Sequence, residues 1–192
     1  MEVTNSVFTG NTEAECGNDG RSLIYIESSY VDFSDLEIKD NSYGFFMKES
    51  SGSITDSIID VKCSGIDTNS HKVTGTIDHT LVIADNTITT ADGSGITAYD
   101  GAIVVAERNT ISGASDGSGF GIRSSTVTAN NNVIGPIGGW NGLWIYGTSD
   151  VSAENNTIRD TAKEAVLIGE YHFLDQGWNV PVSYTHLTLP TN

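Results

Sequence analysis

One four-residue phrase recurs four times in the middle of the chain, and its spacing restricts the possible folds more than any other feature. The four copies are Asp85-Asn86-Thr87-Ile88, Arg108-Asn109-Thr110-Ile111, Asn131-Asn132-Val133-Ile134 and Asn155-Asn156-Thr157-Ile158. The asparagines at the second position are 23, 23 and 24 residues apart. Small or aliphatic side chains stand three and five residues before each asparagine, which is the alternation of a strand that leads into a turn.

A second apolar segment follows each asparagine after ten to thirteen residues, and glycine usually introduces it. These segments are Gly95-Ile96, Gly121-Ile122, Leu143-Trp144-Ile145 and Val166-Leu167-Ile168. Each unit therefore contains three short strands and no helical i, i+3, i+4 pattern. A repeat of this length made only of strands predicts a solenoid of stacked β coils. Leucine-rich repeats have a similar period, but they need a leucine lattice that this chain lacks.

The Asn-Thr-Ile phrases and the glycine-isoleucine strands resemble those of the right-handed parallel β-helix repeat proteins, the broad pectate-lyase-like group. The resemblance covers about residues 3 to 180 and implies an all-β solenoid of about seven coils with three strands each. Successive coils of such a fold lie about 4.8 Å apart, so Asn86, Asn109, Asn132 and Asn156 are expected to stack as a hydrogen-bonded ladder. Lyases, hydrolases, epimerases and adhesins share this fold, so the resemblance does not determine an activity.

Length and composition suit a single solenoid unit, since 192 residues with 21 glycines show no shift in composition that would mark a second domain. Solenoids need caps at their ends, yet Asn5-Ser6-Val7 already matches the turn phrase. We therefore expect residues 1–180 to be a β-helix fragment truncated at both ends. Residues Pro181 to Asn192 resemble one reading frame of a transposase adapter used in sequencing libraries, and we expect them to be a non-native tail.

The charge of the chain excludes two classes of partner. The formal net charge is −16, with nine basic residues against 25 acidic ones, which argues against nucleic acid and against anionic membrane surfaces. No apolar run approaches the roughly 20 residues that a membrane span needs. An acidic surface rich in Ser, Thr, Asp and Asn favours a secreted or cell-surface protein, although no signal peptide is visible. The sequence does not indicate an oligomeric state.

The resemblance also implies which sheet carries a site. In this family the asparagine turn joins the second and third sheets, so the glycine-introduced strands form the first sheet, whose outer face usually carries the substrate groove. Strand alternation then predicts the outward residues. They are Tyr25, Glu27, Phe46, Lys48, Asp67, Thr97, Tyr99, Arg123, Trp144, Tyr146 and Leu167.

Five of these eleven outward residues are aromatic, and rings on a long shallow face suit the flat C–H faces of sugars. The predicted polysaccharide-binding residues are Tyr25, Phe46, Tyr99, Trp144 and Tyr146. The alternative is that these rings pack against one another across coils. Both interpretations are compatible with the sequence.

Candidate catalytic residues lie on the same predicted face. Cleavage of an acidic polysaccharide by elimination needs a base and a cation beside the uronate carboxylate, and Asp67, Lys48 and Arg123 could supply them. They could equally form a solvated row of charges. No two carboxylates fall on adjacent coils of this face, which counts against a two-carboxylate hydrolase.

Two further features leave alternatives open. Asp92 and Asp116 begin Asp-Gly-Ser-Gly segments 24 residues apart, and stacked aspartates could share Ca²⁺, although Asp-Gly is also typical of tight turns. Cys16 and Cys63 fall two coils apart, roughly 10 Å along the axis, so a disulfide requires the segment from Thr9 to Gly20 to fold across.

These observations predict a right-handed parallel β-helix that engages polysaccharide along the outer face of its first sheet, outside the cell or at its surface. Such a module could belong to a lyase-like enzyme, and the sequence leaves catalysis open. The alternative is a non-catalytic structural solenoid of an adhesin or surface protein.

Overall fold

The computed structural model describes residues 1–10, 16, 22–70 and 79–169, together with the backbone of 186–187. Every regular element in this part of the chain is a β-strand, and the strands form three parallel sheets. The described residues contain no helix long and apolar enough to cross a membrane.

We number the strands along the chain and name the sheets by the order expected from the asparagine turn. Sheet 2 contains β1 (Glu2–Thr4), β4 (Tyr30–Ser34), β7 (Ser51–Thr55), β10 (Thr80–Ala84), β13 (Ile103–Glu107), β16 (Thr126–Asn130), β19 (Asp150–Glu154) and β22 (His186–Leu187). Sheet 3 contains β2 (Val7–Thr9), β5 (Glu37–Asn41), β8 (Ile58–Val61), β11 (Thr87–Thr90), β14 (Thr110–Gly113), β17 (Val133–Ile137) and β20 (Thr157–Ile158). Sheet 1 contains β3 (Ile24–Glu27), β6 (Phe45–Lys48), β9 (Ile66–Asn69), β12 (Ile96–Tyr99), β15 (Phe120–Arg123), β18 (Leu143–Tyr146) and β21 (Val166–Ile168).

Each strand pairs in parallel with the equivalent strand of a neighbouring coil, and all but the edge strands of each sheet pair on both sides. In sheet 1, for example, Ile96 lies opposite Phe120, and Phe120 lies opposite Leu143. The stacked sheets make about six turns of roughly 23 residues each, close to the seven coils expected. The predicted all-β parallel β-helix is therefore confirmed.

The asparagine turn between sheets 2 and 3 needs an unusual backbone conformation at its first position. Asp85, Arg108, Asn131 and Asn155 all have positive φ, between 54° and 60°. Asp and Asn tolerate this left-handed region best, which explains why they occupy most copies of this position. Arg108 is the exception, and its guanidinium donates to both carboxylate oxygens of Asp85 at 2.8 Å.

The second position of each turn forms a continuous hydrogen-bonded ladder. The Nδ2 of Asn86 donates to Oδ1 of Asn109 at 3.0 Å and to the carbonyl of Ile54 at 2.8 Å. Asn109 and Asn132 repeat this pattern toward the next coil. Each Oδ1 also accepts from the backbone N–H of the preceding ladder residue, so the ladder satisfies groups that the buried turn would otherwise leave unpaired.

Glycine immediately precedes five of the seven strands of sheet 1, because each of these positions packs against an isoleucine of sheet 3. A Cβ added to Gly95 would lie 2.3 Å from Cγ2 of Ile111, one coil further on. The same relation holds between Gly119 and Ile134, at 2.4 Å. The glycine before a sheet 1 strand and the isoleucine of the Asn-Thr-Ile phrase one coil further on therefore meet at one contact. Any side chain at the glycine position would displace the isoleucine.

The interior is filled by inward side chains of all three sheets, most of them isoleucine, valine and alanine. Ile38, Ile54, Ile66 and Met47 are fully buried, with 0% of their surface exposed. Parallel sheets with a dry interior favour such aliphatic residues. This core fixes the phase of every strand and so determines which side chains face outward.

A disulfide bond joins Cys16 to Cys63, with 5.3 Å between their Cα atoms. The sequence left this pairing open because the two cysteines were expected two coils apart. The connection from β2 to β3 is much longer than the other connections between sheets 3 and 1, and it brings Cys16 to the turn before β9. The Sγ of Cys16 also lies 3.6 Å from Oδ2 of Asp92.

The predicted non-native tail, Pro181 to Asn192, falls largely outside the described residues. Within it, the backbone of β22 pairs in parallel with β19, where Ser152 lies opposite His186. The assignment of this segment stays a prediction.

Candidate functional site

The outer face of sheet 1 carries two parallel rows of side chains, set by the register of its strands. The first row is Tyr25, Phe46, Asp67, Thr97, Gly121, Trp144 and Leu167. The second row is Glu27, Lys48, Asn69, Tyr99, Arg123 and Tyr146. All eleven residues expected on this face lie in these rows, and Asn69 and Gly121 join them.

At one end of the face, three aromatic rings stack on one another. The ring centroids of Trp140 and Trp144 are 5.5 Å apart, and those of Trp144 and Tyr146 are 4.4 Å apart, with both pairs nearly parallel. The ammonium group of Lys163 lies 3.9 Å from the centroid of the Trp140 ring. Both faces of Trp144 are therefore covered by neighbouring rings, as in the packing alternative, and a sugar approaching this stack would meet ring edges.

At the other end, Tyr25 and Phe46 also stack, with centroids 5.6 Å apart. Tyr25 is half exposed, at 50% of its surface, and its hydroxyl donates to Glu27 at 3.1 Å. The Tyr25 ring therefore offers exposed aromatic surface at this end of the face.

The two candidate cations of this face are each paired with a carboxylate. Lys48 contacts Glu27 at 2.6 Å, and this hydrogen bond raises the pKa of Lys48 and lowers that of Glu27. Arg123 donates to both carboxylate oxygens of Asp100, at 2.6 and 3.1 Å, and its guanidinium carbon lies 4.8 Å from the centre of the Tyr99 ring. Both cations already have an anionic partner.

A cleft of about 410 Å³ opens on this face around Asp67. Aromatic side chains line it from both directions along the sheet, with Phe46 on β6 and Tyr99 on β12, and Tyr43 adds a third ring. The turns before β9, β12 and β15 contribute Ser64, Gly93, Ser94 and Asp116. Of the three predicted catalytic residues only Asp67 lines the cleft, since Lys48 and Arg123 lie outside it.

Asp67 lies between Phe46 and Thr97 in the first row, and Thr97 donates to its Oδ1 at 2.6 Å. Enclosure by the cleft raises the pKa of Asp67 from its ordinary value of 3.8 to about 6, because the hydrogen bonds from Thr97 and Ser64 offset only part of the lost hydration. A carboxyl group with this pKa changes its charge near neutral pH. Burial likewise raises the pKa of Tyr99, whose hydroxyl is hydrogen bonded with that of Tyr146.

The raised pKa predicts that Asp67→Asn stabilises the fold at neutral pH. Between 3.8 and about 6 the folded protein binds a proton that the unfolded chain has released, so the stability contributed by Asp67 falls as the pH rises through this range. The asparagine variant lacks this penalty and can still accept from Thr97. We expect its free energy of unfolding to exceed that of the wild type by up to about 3 kcal/mol at neutral pH.

The measurement is urea unfolding of both proteins across the acid range. The gap should close below the ordinary pKa of a carboxyl group, where Asp67 is protonated in both states. Asp60→Asn, an exposed position on sheet 3, removes the same formal charge and is the matched control. An Asp67→Asn variant that is less stable than the wild type at every pH would contradict the assignment of a raised pKa.

The candidate calcium residues lie in stacked turns and have protein partners. The N–H of Asp116 donates to the carbonyl of Asp92 at 2.9 Å. The carboxylate of Asp92 accepts from Ser115, and that of Asp116 accepts from Nε1 of Trp140 at 3.2 Å. Among the described residues, no three His, Cys, Asp or Glu side chains gather as a metal-binding group. A calcium site at this position stays a prediction.

Asn69 and Asp116 line the cleft but were not predicted as residues of the sugar-binding face, although Asp116 was a candidate calcium residue. Asn69 lies on the outward phase of β9, and its Oδ1 is buried with no hydrogen-bond partner in the described part of the chain. Extending the alternation by two residues from Asp67 would have found it. Asp116 reaches the cleft from a turn, and no periodic pattern predicts where a turn side chain points.

No protein-family model, curated protein or solved structure matches the chain.

Proposed function

We propose that the outer face of sheet 1 binds polysaccharide, with one or two sugar rings seated in the cleft above Asp67. The observation that carries the proposal is the cleft itself. It combines aromatic side chains with polar groups at its floor, and its volume of about 410 Å³ falls in the range of small-ligand sites.

The dimensions of the cleft suit a sugar ring. Phe46 and Tyr99 stand on strands two coils apart, so roughly 10 Å of sheet separates the backbone positions of the two rings. The hydroxyls of Ser64, Ser94 and Thr97 can exchange hydrogen bonds with sugar hydroxyls. Beyond Phe46 the face continues to the exposed ring of Tyr25, which extends the surface for a longer chain.

Binding is better supported than elimination. A lyase acting on a uronate needs a cation that can receive the substrate carboxylate, yet Lys48 and Arg123 are held by Glu27 and Asp100. Of the three residues predicted to be catalytic, only Asp67 lines the cleft, where it could exchange a proton with a bound sugar. The disulfide supports an oxidising compartment, in keeping with a secreted or cell-surface protein.

The test is affinity electrophoresis through gels that contain neutral, basic or acidic polysaccharides. Phe46→Ala removes one wall of the cleft and should weaken retention at least about tenfold, the equivalent of about 1.4 kcal/mol of lost ring contact. Tyr30→Ala on sheet 2 is the control, since Tyr30 is 62% exposed and lies on a different sheet. Circular dichroism verifies that both variants keep the fold. Equal retention of the wild type and Phe46→Ala on every gel would refute binding in the cleft.

A structural solenoid is the second candidate, and the pairing of the outward residues with one another favours it. Lys48 with Glu27, Arg123 with Asp100 and Trp144 with Tyr146 all satisfy each other without a ligand. This function predicts that no polysaccharide retards the wild type in the same gels.

A further inference from the structure

We propose that the cleft selects a sugar that carries a positively charged amine, an inference that rests on the polysaccharide-binding function proposed above. Asp67 would pair with the ammonium group of the sugar, and the aromatic side chains would surround it. The substrate class is therefore an amino-sugar polymer with free amines, in place of the acidic polymer that the lyase hypothesis required.

The charge of the cleft favours a cationic ligand. Asp67 and Asp116 are the charged residues that line the cleft, and no described Lys, Arg or His lines it. The nearest cations of the face, Lys48 and Arg123, are each held at 2.6 Å by a carboxylate. A uronate in this position would meet two carboxylates without a compensating cation, whereas an ammonium would gain a charge-assisted hydrogen bond.

The aromatic lining of the cleft also favours an ammonium group. Phe46, Tyr43 and Tyr99 line the same cleft as the carboxylate of Asp67, and aromatic rings are a recurring element of ammonium recognition sites. The Tyr99 ring already lies 4.8 Å from a guanidinium, that of Arg123, so it is used as a cation acceptor within the protein itself.

The side-chain oxygen of Asn69 is a hydrogen-bond acceptor that an ammonium group could use. The Oδ1 of Asn69 lies beside the cleft, buried and without a hydrogen-bond partner among the described residues. A small rotation of this amide would turn the acceptor toward the cleft, where an ammonium has three hydrogens to donate. Asp67 and Asn69 are two residues apart on β9 and lie on the same outward face, so both side chains can approach one ammonium group.

A simple amine would not use the rest of the site. The cleft is far larger than one ammonium group, and the hydroxyls of Ser64, Ser94 and Thr97 line the remaining surface. These groups match the hydroxyls of a sugar ring that carries the amine.

Isothermal titration calorimetry of the full chain at neutral pH and physiological ionic strength tests the inference with short oligosaccharides. The three probes are glucosamine, N-acetylglucosamine and galacturonate oligomers of equal length. The free-amine oligomer should bind at least about tenfold more tightly than the acetylated one, because acetylation removes the charge that pairs with Asp67. Asp67→Asn should reduce this preference to about twofold or less.

The controls separate this inference from the proposed function. Asp60→Asn on sheet 3 should keep the preference, which excludes a general effect of the negative net charge. An aliphatic diamine without a sugar should bind more weakly than the glucosamine oligomer, and equal affinity would refute recognition of a sugar. Equal or tighter binding of the acetylated or uronate oligomer would overturn the amine preference while leaving polysaccharide binding intact. If none of the three oligomers binds the wild type, the amine preference fails, and the electrophoresis described above decides separately whether the cleft binds any polysaccharide.

The preference should also depend on pH. Asp67 must be ionised and the sugar amine protonated for this pair to form. Affinity for the free-amine oligomer should therefore rise as the pH increases through about 6 and fall again at higher pH, where the amine loses its proton. The other titratable groups that line the cleft are Tyr43, Tyr99 and Asp116, while Phe46 and Thr97 on the flanking strands carry no charge. The Asp67→Asn variant should lose the rise near pH 6.

Discussion

Replacing Asn109 with alanine should lower the free energy of unfolding by about 4 kcal/mol. Its side chain, only 1% exposed, takes part in four hydrogen bonds with the two neighbouring coils. Oδ1 accepts from the backbone N–H and Nδ2 of Asn86, and Nδ2 donates to Ile83 and Asn132. Each bond contributes about 1 kcal/mol, and the buried N–H of Asn86 would lose its partner.

Equilibrium unfolding in urea measures this effect, and amide hydrogen exchange locates it. The N–H of Asn86 should exchange faster in Asn109→Ala, because it is the donor left without an acceptor. Thr110→Ala changes the adjacent exposed side chain and should alter stability by less than about 0.5 kcal/mol. Equal stability of Asn109→Ala and Thr110→Ala would show that the ladder adds nothing to the fold.

Removing the disulfide should have an effect of similar size. Cys16 and Cys63 are separated by 47 residues, and a cross-link over that distance stabilises a protein by about 4 kcal/mol in the chain-entropy account. The double variant Cys16→Ser/Cys63→Ser should therefore unfold at a lower urea concentration than the oxidised wild type. The main cause of this loss of stability is that the unfolded chain without the cross-link can adopt more conformations, and lost contacts in the folded protein contribute less.

The reduced wild type is the matched control for this double variant. Treatment with a thiol reductant should bring the wild-type midpoint down to that of the variant, and the variant itself should not respond. A midpoint that is identical in the oxidised wild type, the reduced wild type and the variant would show that the bond contributes no stability.

The sequence was sufficient to predict the fold because each repeated phrase records a local requirement of the coil. The first turn position needs positive φ, the second needs an amide that reaches both neighbouring coils, and glycine is needed where Gly95 meets Ile111. Such requirements recur in most coils, so they leave a period that can be read directly.

The candidate site could be predicted only in part. Alternation gives the direction of a strand side chain, and it placed Asp67, Phe46 and Tyr99 on one face. It does not give contacts between side chains, so it could not show that Trp144 is covered on both faces or that Arg123 is held by Asp100. The cleft also depends on turns, and the repeated Asp-Gly-Ser-Gly segments did not show that the Asp116 side chain reaches it.

The stacking of coils also determines how the cleft can vary in size. Phe46 and Tyr99 stand on β6 and β12, so the opening between them spans two steps of about 4.8 Å each. Inserting or deleting one repeat between these strands would widen or narrow the opening by one whole step, with no intermediate width available. If the cleft binds a ligand as proposed, duplication of one repeat would change the length of ligand that fits by one coil spacing in a single event.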